Sequence, residues 1–427
     1  MTATARSVAV ETVRRVTDED AYSTRVLPAL LERSRLAPRD RALATELAMG
    51  TLRHLPGLDR AIGLRASRSV ARMSPGARAA LRLGAYQLLF MRIPRHAAVS
   101  ASVDLATPRE RGFVNAILRR IAEDPPPPPT GATDDDVFAR TGLTPWAFRE
   151  LRVLLADEAD VAAEAFGERG LLCLRTNTCR TSVDAFVRGL RASGHAPRPA
   201  ELHPDCVLLD GGDPARLRGF TKGWFAVQDQ ASAFVVSALD PQPGDRVLDA
   251  CAAPGGKSAH IACLVGETGR VVAADLRPER AALVKSTAER LGAEVEVLVQ
   301  DATRSALGGS FDRVLVDAPC SGMGSARRRP ELLWRPKRGD LSSLARAQVA
   351  IASAAADRLR PGGRLVYSVC TFPRAETDAA CDALVRHRPE LEPVPIDGPD
   401  GSSPRIRLWP HRHGSDGMFV AAFRKRP

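Results

Sequence analysis

The second half of the chain alternates short apolar runs with helical segments, and this alternation constrains the fold more than any other feature. Runs that are apolar almost throughout are typical of strands buried on both faces, as in a parallel sheet covered by helices. Five such runs occur: RVLDA (246–250), RVVAAD (270–275), VEVLVQD (295–301), DRVLVDA (312–318) and RLVYSVC (364–370). Two C-terminal runs, LEPVPI and GMFVAAF, are expected to add antiparallel strands at one edge. The pattern therefore predicts a doubly wound, Rossmann-like α/β domain over residues 226–427, with its ligand site at the carboxyl ends of the strands.

The first third of the chain is helical and strongly basic. Residues 1–124 contain four segments in which apolar residues recur at i, i+3 or i+4 and i+7, which is the spacing of an amphipathic helix. This region holds 21 Arg, no Lys and 12 acidic residues, so its net charge of +9 accounts for most of the +11 of the whole chain. Arginine pairs with phosphate oxygens in a planar, bidentate way, which favours a nucleic-acid partner. A general preference for Arg over Lys in the composition is the alternative explanation.

A proline-rich segment separates the helical region from the rest. The stretch EDPPPPPTGATDDD contains five consecutive prolines, which are stiff and cannot form a core, and it predicts a linker at 125–137. Residues 138–225 mix strand-like and helical pieces and predict a small α+β module that binds RNA. The chain is thus expected to be multidomain, with an all-α domain at 1–124, the linker, the small module and the α/β domain.

Several classes of protein are disfavoured by the composition. The N-terminal residues lack the apolar core of a signal peptide, and no run of 18 apolar residues occurs, so we expect no membrane partner. The eight cysteines form no CxxC pair and have no histidine at ligand spacing, so no metal site is predicted. Chains with free thiols are typical of the reducing cytoplasm, which is the expected location. We further expect a monomer.

A glycine-rich segment after the first strand of the α/β domain is the candidate cofactor loop. In DACAAPGGKSAH (249–260) small residues allow close approach of a ligand, and free N–H groups at a helix start can bind a carboxylate. The segment lacks the G-x-G-x-x-G spacing of dinucleotide sites, which disfavours an oxidoreductase.

Aspartates end four successive strands, at positions 249, 275, 301 and 317. Each alone is typical of a cap or turn residue, but together they fit an adenosine with a short zwitterionic tail. Asp275 is expected to accept the ribose hydroxyls, and Asp301 the adenine amine. We therefore predict S-adenosylmethionine as the cofactor, bound by Cys251, Ala252, Ala253, Pro254, Gly255, Gly256, Lys257, Asp275, Asp301 and Asp317.

Two cysteines lie at the ends of neighbouring strands. Cys320 follows the fourth strand in VLVDAPCSGMGS, and Cys370 closes the fifth in VYSVCTFP. Adjacent parallel strands place both thiols on one rim, so a catalytic role competes with metal ligation and with the common role of cysteine as a small buried residue. Four other cysteines are assigned to that common role: Cys173, Cys206, Cys263 and Cys381.

The motifs DACAAPGGK, DAPCSG, VCTF, VQDQAS and HRHGSDGMF resemble those of the RsmB (Sun) branch of the RNA cytosine-5 methyltransferases. The likeness covers almost the whole chain, since LGAYQLLFMRIPRHAAVSASVDLA and RGFVNAILRRIA are similar to the NusB-like RNA-binding domain of that branch. The resemblance implies a methyltransferase that forms 5-methylcytosine in RNA, with small-subunit (16S) rRNA as the expected target.

The resemblance also implies roles for three residues. Cys370 matches the family's nucleophile, which adds to C6 of cytosine so that C5 becomes reactive. Cys320 matches the second cysteine, which assists product release. Asp317 is similarly placed to hydrogen-bond the cytosine near N3. Thr371 stands where serine is common, and PRAETD (373–378) is less acidic than usual, which makes a role of that turn in positioning the cysteine loop less secure.

A basic run next to the second motif, ARRRPELLWRPKR (326–338), is interpreted as an RNA contact in which arginines hold phosphates and the tryptophan stacks on a base. An ordinary solvated charge run is the alternative. Three alternative functions also stay open at this point: a non-catalytic RNA-binding or antitermination factor, a methyltransferase of tRNA or another rRNA, and a Rossmann oxidoreductase.

Overall fold

The structure, a computed structural model, describes residues 3–304 and 309–427. The chain divides into two compact units, and each is made of two segments. The helical unit contains Met1–Glu168 and Ala326–Arg335, and the catalytic unit contains Arg169–Ser325 and Pro336–Pro427.

The helical unit is built from amphipathic helices around a core of leucine, alanine and valine. Leu47, Leu58, Leu81 and Leu118 are fully buried in this core. The helices are α1 (Ala5–Asp18), α2 (Ser23–Arg33), α3 (Pro38–Arg53), α4 (Leu55–Gly63), α5 (Pro75–Phe90), α6 (Arg95–Val103), α7 (Arg111–Glu123), α8 (Asp134–Thr141), α9 (Pro145–Leu155) and α10 (Ala159–Gly167). The helical character predicted for the first third is confirmed.

The end of the predicted linker differs in the structure. Residues 125–132 carry neither helix nor strand, but α8 begins at Asp134, inside the range assigned to the linker. Thr133 caps the helix by accepting from the Asp136 backbone N–H, and three aspartates fill its first turn, where negative charge is favoured by the helix dipole. Helices α8–α10 belong to the helical unit rather than to the small module predicted from residue 138 onward.

The basic run at 326–338 is partly buried, which its charge did not indicate. Its part up to Arg335 belongs to the helical unit, where the Glu331 carboxylate is fully buried and accepts from the backbone N–H and the hydroxyl of Ser23 at 2.9–3.1 Å. Trp334 packs on a cluster of Val13, Val16, Leu52 and Ala79. The Arg335 guanidinium donates to the carbonyls of Val16 and Ala21. Trp334 and Arg335 are half-buried and contact residues of the helical unit, and RNA contact by the run stays a prediction.

The catalytic unit begins with a small antiparallel sheet. Its strands lie in the order β2-β3-β1-β4, and helix α11 packs beside them. The elements are β1 (Leu172–Thr176), α11 (Val183–Ala192), β2 (Arg198–Pro199), β3 (Cys206–Leu209) and β4 (Phe225–Val227). The strand-like and helical pieces predicted for this region are thus present between residues 172 and 227.

The main sheet has the order β10-β14-β9-β8-β5-β6-β7, with β13 paired to β14. Strands β9, β8, β5, β6 and β7 are parallel, and β14 is antiparallel to β9. The elements are α12 (Gln230–Leu239), β5 (Arg246–Asp249), α13 (Gly256–Val265), β6 (Arg270–Asp275), α14 (Pro278–Leu291), β7 (Glu296–Val299), β8 (Phe311–Asp317), α15 (Leu341–Asp357), β9 (Leu359–Val369), α16 (Asp378–His387), β10 (Leu391–Pro393), β11 (Ile396–Gly398), β12 (Gly401–Ser403), β13 (Arg405–Leu408), α17 (Pro410–His413) and β14 (Met418–Lys425).

This sheet confirms the predicted Rossmann-like domain. All five parallel strands arise from the five apolar runs, and the two C-terminal runs supply β10 and β14. Val247, Val314 and Leu365 are fully buried, as expected for strands covered on both faces. The carboxyl ends of β5, β6, β8 and β9 therefore meet along one rim, where the predicted site residues are found.

One cysteine assignment is wrong. Cys263 is not a small buried residue but forms a disulfide with Cys179, across a Cα–Cα distance of 5.9 Å, and links α13 to the turn after β1. Cys173, Cys206 and Cys381 are buried free thiols, as predicted. Among the described residues, no helix combines the length and the apolar character needed to cross a membrane.

Candidate active site

The glycine-rich loop connects β5 to α13 at the centre of the rim. Gly255 caps α13 with φ of +101°, a left-handed conformation that favours glycine. A Cβ atom at this position would also lie only 2.9 Å from the Cα of Val284 on α14. Glycine at 255 thus allows the loop to turn sharply while α14 packs against it. Helix α13 starts directly after this turn.

Asp249, at the end of β5, lies directly under this loop. Its side chain is buried, and Oδ2 accepts a hydrogen bond of 2.7 Å from the Ser258 hydroxyl. Oδ1 is buried and has no hydrogen-bond partner among the described residues. Burial raises the pKa of Asp249 to about 6. An orphaned carboxylate oxygen next to the loop fits a positively charged or N–H group of a ligand, so the residues here suit the cofactor predicted from the sequence.

Asp275 and Asp301 have different environments. Asp275 is buried at the end of β6, accepts from the Ala253 backbone N–H at 3.3 Å and is held by the Arg280 guanidinium at 3.1 Å. It therefore fixes the glycine-rich loop to the neighbouring strand. Asp301 is exposed beyond β7, and its Oδ1 accepts from both the backbone and the hydroxyl of Thr303, which lowers its pKa. Asp301 thus serves as a turn cap, and its role at the adenine amine stays a prediction.

Lys257 and Asp317 form an ion pair between the loop and the end of β8. The Lys257 Nζ atom lies 2.6 Å from Asp317 Oδ2, and Asp317 Oδ1 accepts from the Ser368 hydroxyl at 2.8 Å. Burial opposes the charge on Lys257, but the Asp317 carboxylate outweighs it and raises the lysine pKa. The pair thus keeps a fixed positive and a fixed negative group beside the two cysteines.

Cys320 and Cys370 lie together, as the sequence predicted. Their sulfur atoms are 3.5 Å apart, and both side chains are half-buried. The hydrogen bond between them lowers the pKa of Cys370 and raises that of Cys320 well above its usual value. The charge of Lys257 also lowers the pKa of Cys370. These pKa directions correspond to a contact in which the Cys320 S–H donates to Cys370, the thiol that ionises more readily. Cys251 stays neutral, because burial raises its pKa.

The HGSDGMF motif holds the loop that carries Cys320. The backbone N–H of Gly324 donates to the Cys370 carbonyl, and the N–H of Gly417 donates to the Gly324 carbonyl, both at 2.9 Å. A Cβ atom at Gly324 would lie 2.0 Å from the Gly417 carbonyl oxygen. This contact requires glycine at 324. The two hydrogen bonds of Gly324 connect the DAPCSG, VCTF and HRHGSDGMF motifs.

The analysis of the sequence missed Glu376, whose carboxylate is fully buried between the two cysteine loops. It accepts from the backbone and the hydroxyl of Ser321 and from the Gln348 side chain. PRAETD is less acidic than the family pattern, yet its one glutamate contacts the loop. The residue pattern does not indicate a role for Glu376, because only the fold shows that this turn is buried.

A second cluster lies away from the rim. Donor atoms of His203, Asp205 and His260 lie within 4.8 Å of one another. His203 Nδ1 already accepts from the Asp205 backbone N–H at 3.2 Å. Burial and the charge of Arg175 keep the pKa of His260 well below its usual value. The Arg175 guanidinium beside this cluster opposes binding of a cation. The absence of a metal site stays a prediction.

Comparison with known proteins decides the family. A sequence model described as 16S rRNA methyltransferase RsmB/F matches residues 236–424, and the NusB family model matches residues 3–123. The ribosomal RNA small subunit methyltransferase B of Vibrio cholerae is 34% identical over 436 residues, which cover 99% of this chain and 97% of the relative. The chain belongs to the RsmB/F family of 16S rRNA methyltransferases.

Other relatives agree with membership of the RsmB/F family. A Mycobacterium tuberculosis protein named as a methyltransferase is 41% identical over 445 residues, which cover 99% of this chain and 96% of the relative. The crystal structure of PH0851 superposes with a TM-score of 0.85 and 25% identity over the whole of both chains. The protein is an S-adenosylmethionine-dependent rRNA methyltransferase with an N-terminal NusB domain, as the resemblance implied. The oxidoreductase and the non-catalytic factor are thereby set aside.

Proposed function

We propose that this enzyme forms 5-methylcytosine in 16S rRNA, with Cys370 as the nucleophile. The observation that carries the proposal is the pair of sulfur atoms 3.5 Å apart at the ends of adjacent strands. A half-buried thiol pair with one lowered and one raised pKa fits a site that must first attack and then release a base. The Vibrio cholerae relative is a ribosomal RNA small subunit methyltransferase B, which supports the small subunit as the source of the substrate.

Attack begins at Cys370. Its thiolate adds to C6 of the cytosine, which makes C5 nucleophilic, and S-adenosylmethionine supplies the methyl group that C5 accepts. Asp317, fixed by Lys257 and Ser368, is proposed to hydrogen-bond the cytosine near N3 and to favour the activated ring. Solvent takes the C5 proton, the electron pair of the C5–H bond forms the C5=C6 double bond, and the bond between Cys370 Sγ and C6 breaks to release the product and the Cys370 thiolate. Cys320 is proposed to assist this release from its position beside the same sulfur.

The proposed cofactor site is the glycine-rich loop with its flanking strand ends. The loop and Asp275 are held together by hydrogen bonds, and the buried Oδ1 atom of Asp249, one of the four strand-end aspartates, adds an acceptor. The residues proposed to bind S-adenosylmethionine are Cys251, Ala252, Ala253, Pro254, Gly255, Gly256, Lys257, Asp275, Asp301 and Asp317. We further propose that the enzyme acts as a monomer in the cytoplasm, where ribosomal RNA is made in bacteria such as those of the relatives.

The proposal is tested with two cysteine variants and isotopically labelled S-adenosylmethionine. Cys370→Ala should abolish methyl transfer. Cys320→Ala should form the covalent bond to RNA but release the RNA slowly, so a protein–RNA band of reduced mobility should appear on a denaturing gel. Mass spectrometry of the digested RNA should show labelled 5-methylcytosine with the parent enzyme. A covalent band with Cys370→Ala instead would reverse the two roles, and a labelled base other than 5-methylcytosine would refute the chemistry.

The RNA target requires a separate experiment. Bisulfite maps of RNA from a deletion strain and its parent should differ at a cytosine of 16S rRNA. A difference confined to tRNA or to large-subunit rRNA would refute the proposed target while leaving the cysteine chemistry intact.

A further inference from the structure

Glu376 is a charged side chain in a place where charge is costly. Its carboxylate is fully buried, and burial raises its pKa, while hydrogen bonds from its neighbours lower it. Oε1 accepts from the Ser321 backbone N–H and from Gln348 Nε2, both at 2.9 Å, and Oε2 accepts from the Ser321 hydroxyl at 2.5 Å. A buried carboxylate with three donors is well compensated, so its removal leaves three polar groups without an acceptor.

The donors to Glu376 are adjacent to the reactive thiols. Ser321 follows Cys320 in the chain, and its hydroxyl lies 2.7 Å from the hydroxyl of Thr371, which follows Cys370. The Ser321 hydroxyl donates its single proton to Glu376 in a hydrogen bond. The Ser321 oxygen therefore accepts a hydrogen bond from the Thr371 hydroxyl. One carboxylate therefore orients, through a chain of two hydroxyls, the residue after each cysteine.

A second set of contacts holds the other side of Cys320. Gln348 on α15 donates to the Pro319 carbonyl at 2.9 Å as well as to Glu376. The Tyr367 hydroxyl on β9 lies 2.7 Å from the Glu376 carbonyl oxygen and 3.0 Å from Gln348 Oε1. The backbone on both sides of Cys320 is thus fixed to the strand that carries Cys370.

We propose that Glu376 is a positioning residue, which holds the Cys320 thiol against the Cys370 sulfur and thereby makes Cys370 the more reactive of the two thiols. Without this contact the Cys320 loop loses both hydrogen bonds of Ser321 to the carboxylate, and the S–H donor moves away from Cys370. The inference rests on the proposed function for its catalytic meaning, but the geometry of the two sulfurs can be tested without RNA.

The test measures the alkylation rate of Cys370 by iodoacetamide as a function of pH in the full-length protein. The two thiols fall in different tryptic peptides, 314–327 and 365–374, so mass spectrometry resolves them. Glu376→Gln keeps the shape of the side chain but replaces one acceptor oxygen with an NH₂ group, which faces the donors on Ser321 and Gln348. The midpoint of the alkylation profile should move to higher pH by about one unit, which is about a tenfold slower reaction below both midpoints.

Two comparisons separate positioning from a general loss of structure. Glu392→Gln, an equal change at an exposed carboxylate on β10, should leave the profile unchanged. In a Cys320→Ala background the donor is already absent, so Glu376→Gln should add no further shift. An unshifted profile for folded Glu376→Gln, or a full additional shift in the Cys320→Ala background, would overturn the inference.

Ser321→Ala provides a second variant if Glu376→Gln fails to fold. It removes the hydroxyl that joins Glu376 to Thr371 and should shift the profile in the same direction, and an unchanged profile would count against the inference. Because alkylation needs neither RNA nor methyl transfer, its outcome is independent of whether 5-methylcytosine is formed. Absence of 5-methylcytosine with the expected alkylation profiles would refute the proposed function alone.

Discussion

At the scale of single residues, Asp249 makes the stability of the catalytic unit depend on pH. Its pKa is raised to about 6 because the carboxyl group is buried, compared with an unfolded value of 3.8. The folded protein therefore holds this proton more tightly than the unfolded chain. The stabilisation is fully present below pH 3.8 and is lost as the pH rises through about 6.

The first prediction follows from this sign. Asp249→Asn keeps an oxygen for the Ser258 hydroxyl but cannot ionise, so it should gain stability relative to the parent as the pH rises. The gain should be about 1.4 kcal/mol between pH 5 and pH 8, because the protonated form is favoured roughly tenfold at pH 5. Urea unfolding at both pH values measures it. Asp184→Asn, at an exposed position on α11, is the control, and a gain that is equal at both pH values would contradict the argument.

A second residue-scale prediction concerns Lys257. Its charge lowers the pKa of Cys370, so Lys257→Met should raise that pKa and slow alkylation of Cys370 at neutral pH. The mechanism differs from that of Glu376, because the Cys320 hydrogen bond stays in place. Lys257→Arg should retain most of the parent rate. Equal rates for the methionine and arginine variants would show that the charge at 257 does not act on Cys370.

The residues of the site differ in how far the sequence could predict them. Cys320, Cys370 and Lys257 were predicted together, because motifs at strand ends must meet on one rim of a parallel sheet. Glu376 and Gln348 were not, since their importance comes from burial between loops that are distant in sequence. The Cys179–Cys263 disulfide was also missed, because spacing along the chain does not show which thiols of separate elements meet.

At the scale of elements, the segment Ala326–Arg335 is the main departure from the predicted organisation. Its short helical turn, Pro330–Leu333, is buried in the helical unit although its sequence neighbours belong to the catalytic unit. The charges of this run led to its interpretation as an RNA contact, with a solvated charge run as the alternative. Neither interpretation considered that Leu332, Leu333 and Trp334 pack into the helical unit. Parallel strands were predictable because the apolar pattern of each run indicates its own burial. The burial of an inserted segment was not, because its partners, among them Ser23 and Thr144, are distant in the sequence.

The prediction at this scale concerns Glu331. Its carboxylate accepts from two donors at the start of α2, so Glu331→Ala leaves the Ser23 N–H and hydroxyl without an acceptor. Such a loss costs about 1.5–3 kcal/mol. Hydrogen exchange of the α2 amides should therefore become faster by about one order of magnitude or more. Glu32→Ala, at an exposed position on the same helix, should change it little, and equal exchange in both variants would contradict the buried contact.

At the scale of the whole molecule, charge and organisation must be considered together. A deletion of residues 1–123 is a poor test of RNA binding, because it also removes Val13, Val16 and Ser23, which cover the inserted segment. The net charge of +9 in residues 1–124 must instead be tested by point substitutions in the full chain. Arg25 and Arg33 suit this purpose, because both are exposed on α2 and line one hollow together with Tyr22.

The last prediction is a salt dependence. If these arginines contact RNA phosphates, each contact releases a counterion, and the logarithm of the affinity falls linearly with the logarithm of the salt concentration. The double change Arg25→Gln and Arg33→Gln should weaken RNA binding and reduce that slope by about 1.4, which is about 0.7 for each contact to a single strand. S-adenosylmethionine affinity should not change. Arg386→Gln, an exposed arginine on α16 of the catalytic unit, is the matched control. A slope that is unchanged in the double variant, or reduced as much in the control, would mean that RNA does not bind Arg25 and Arg33 on α2.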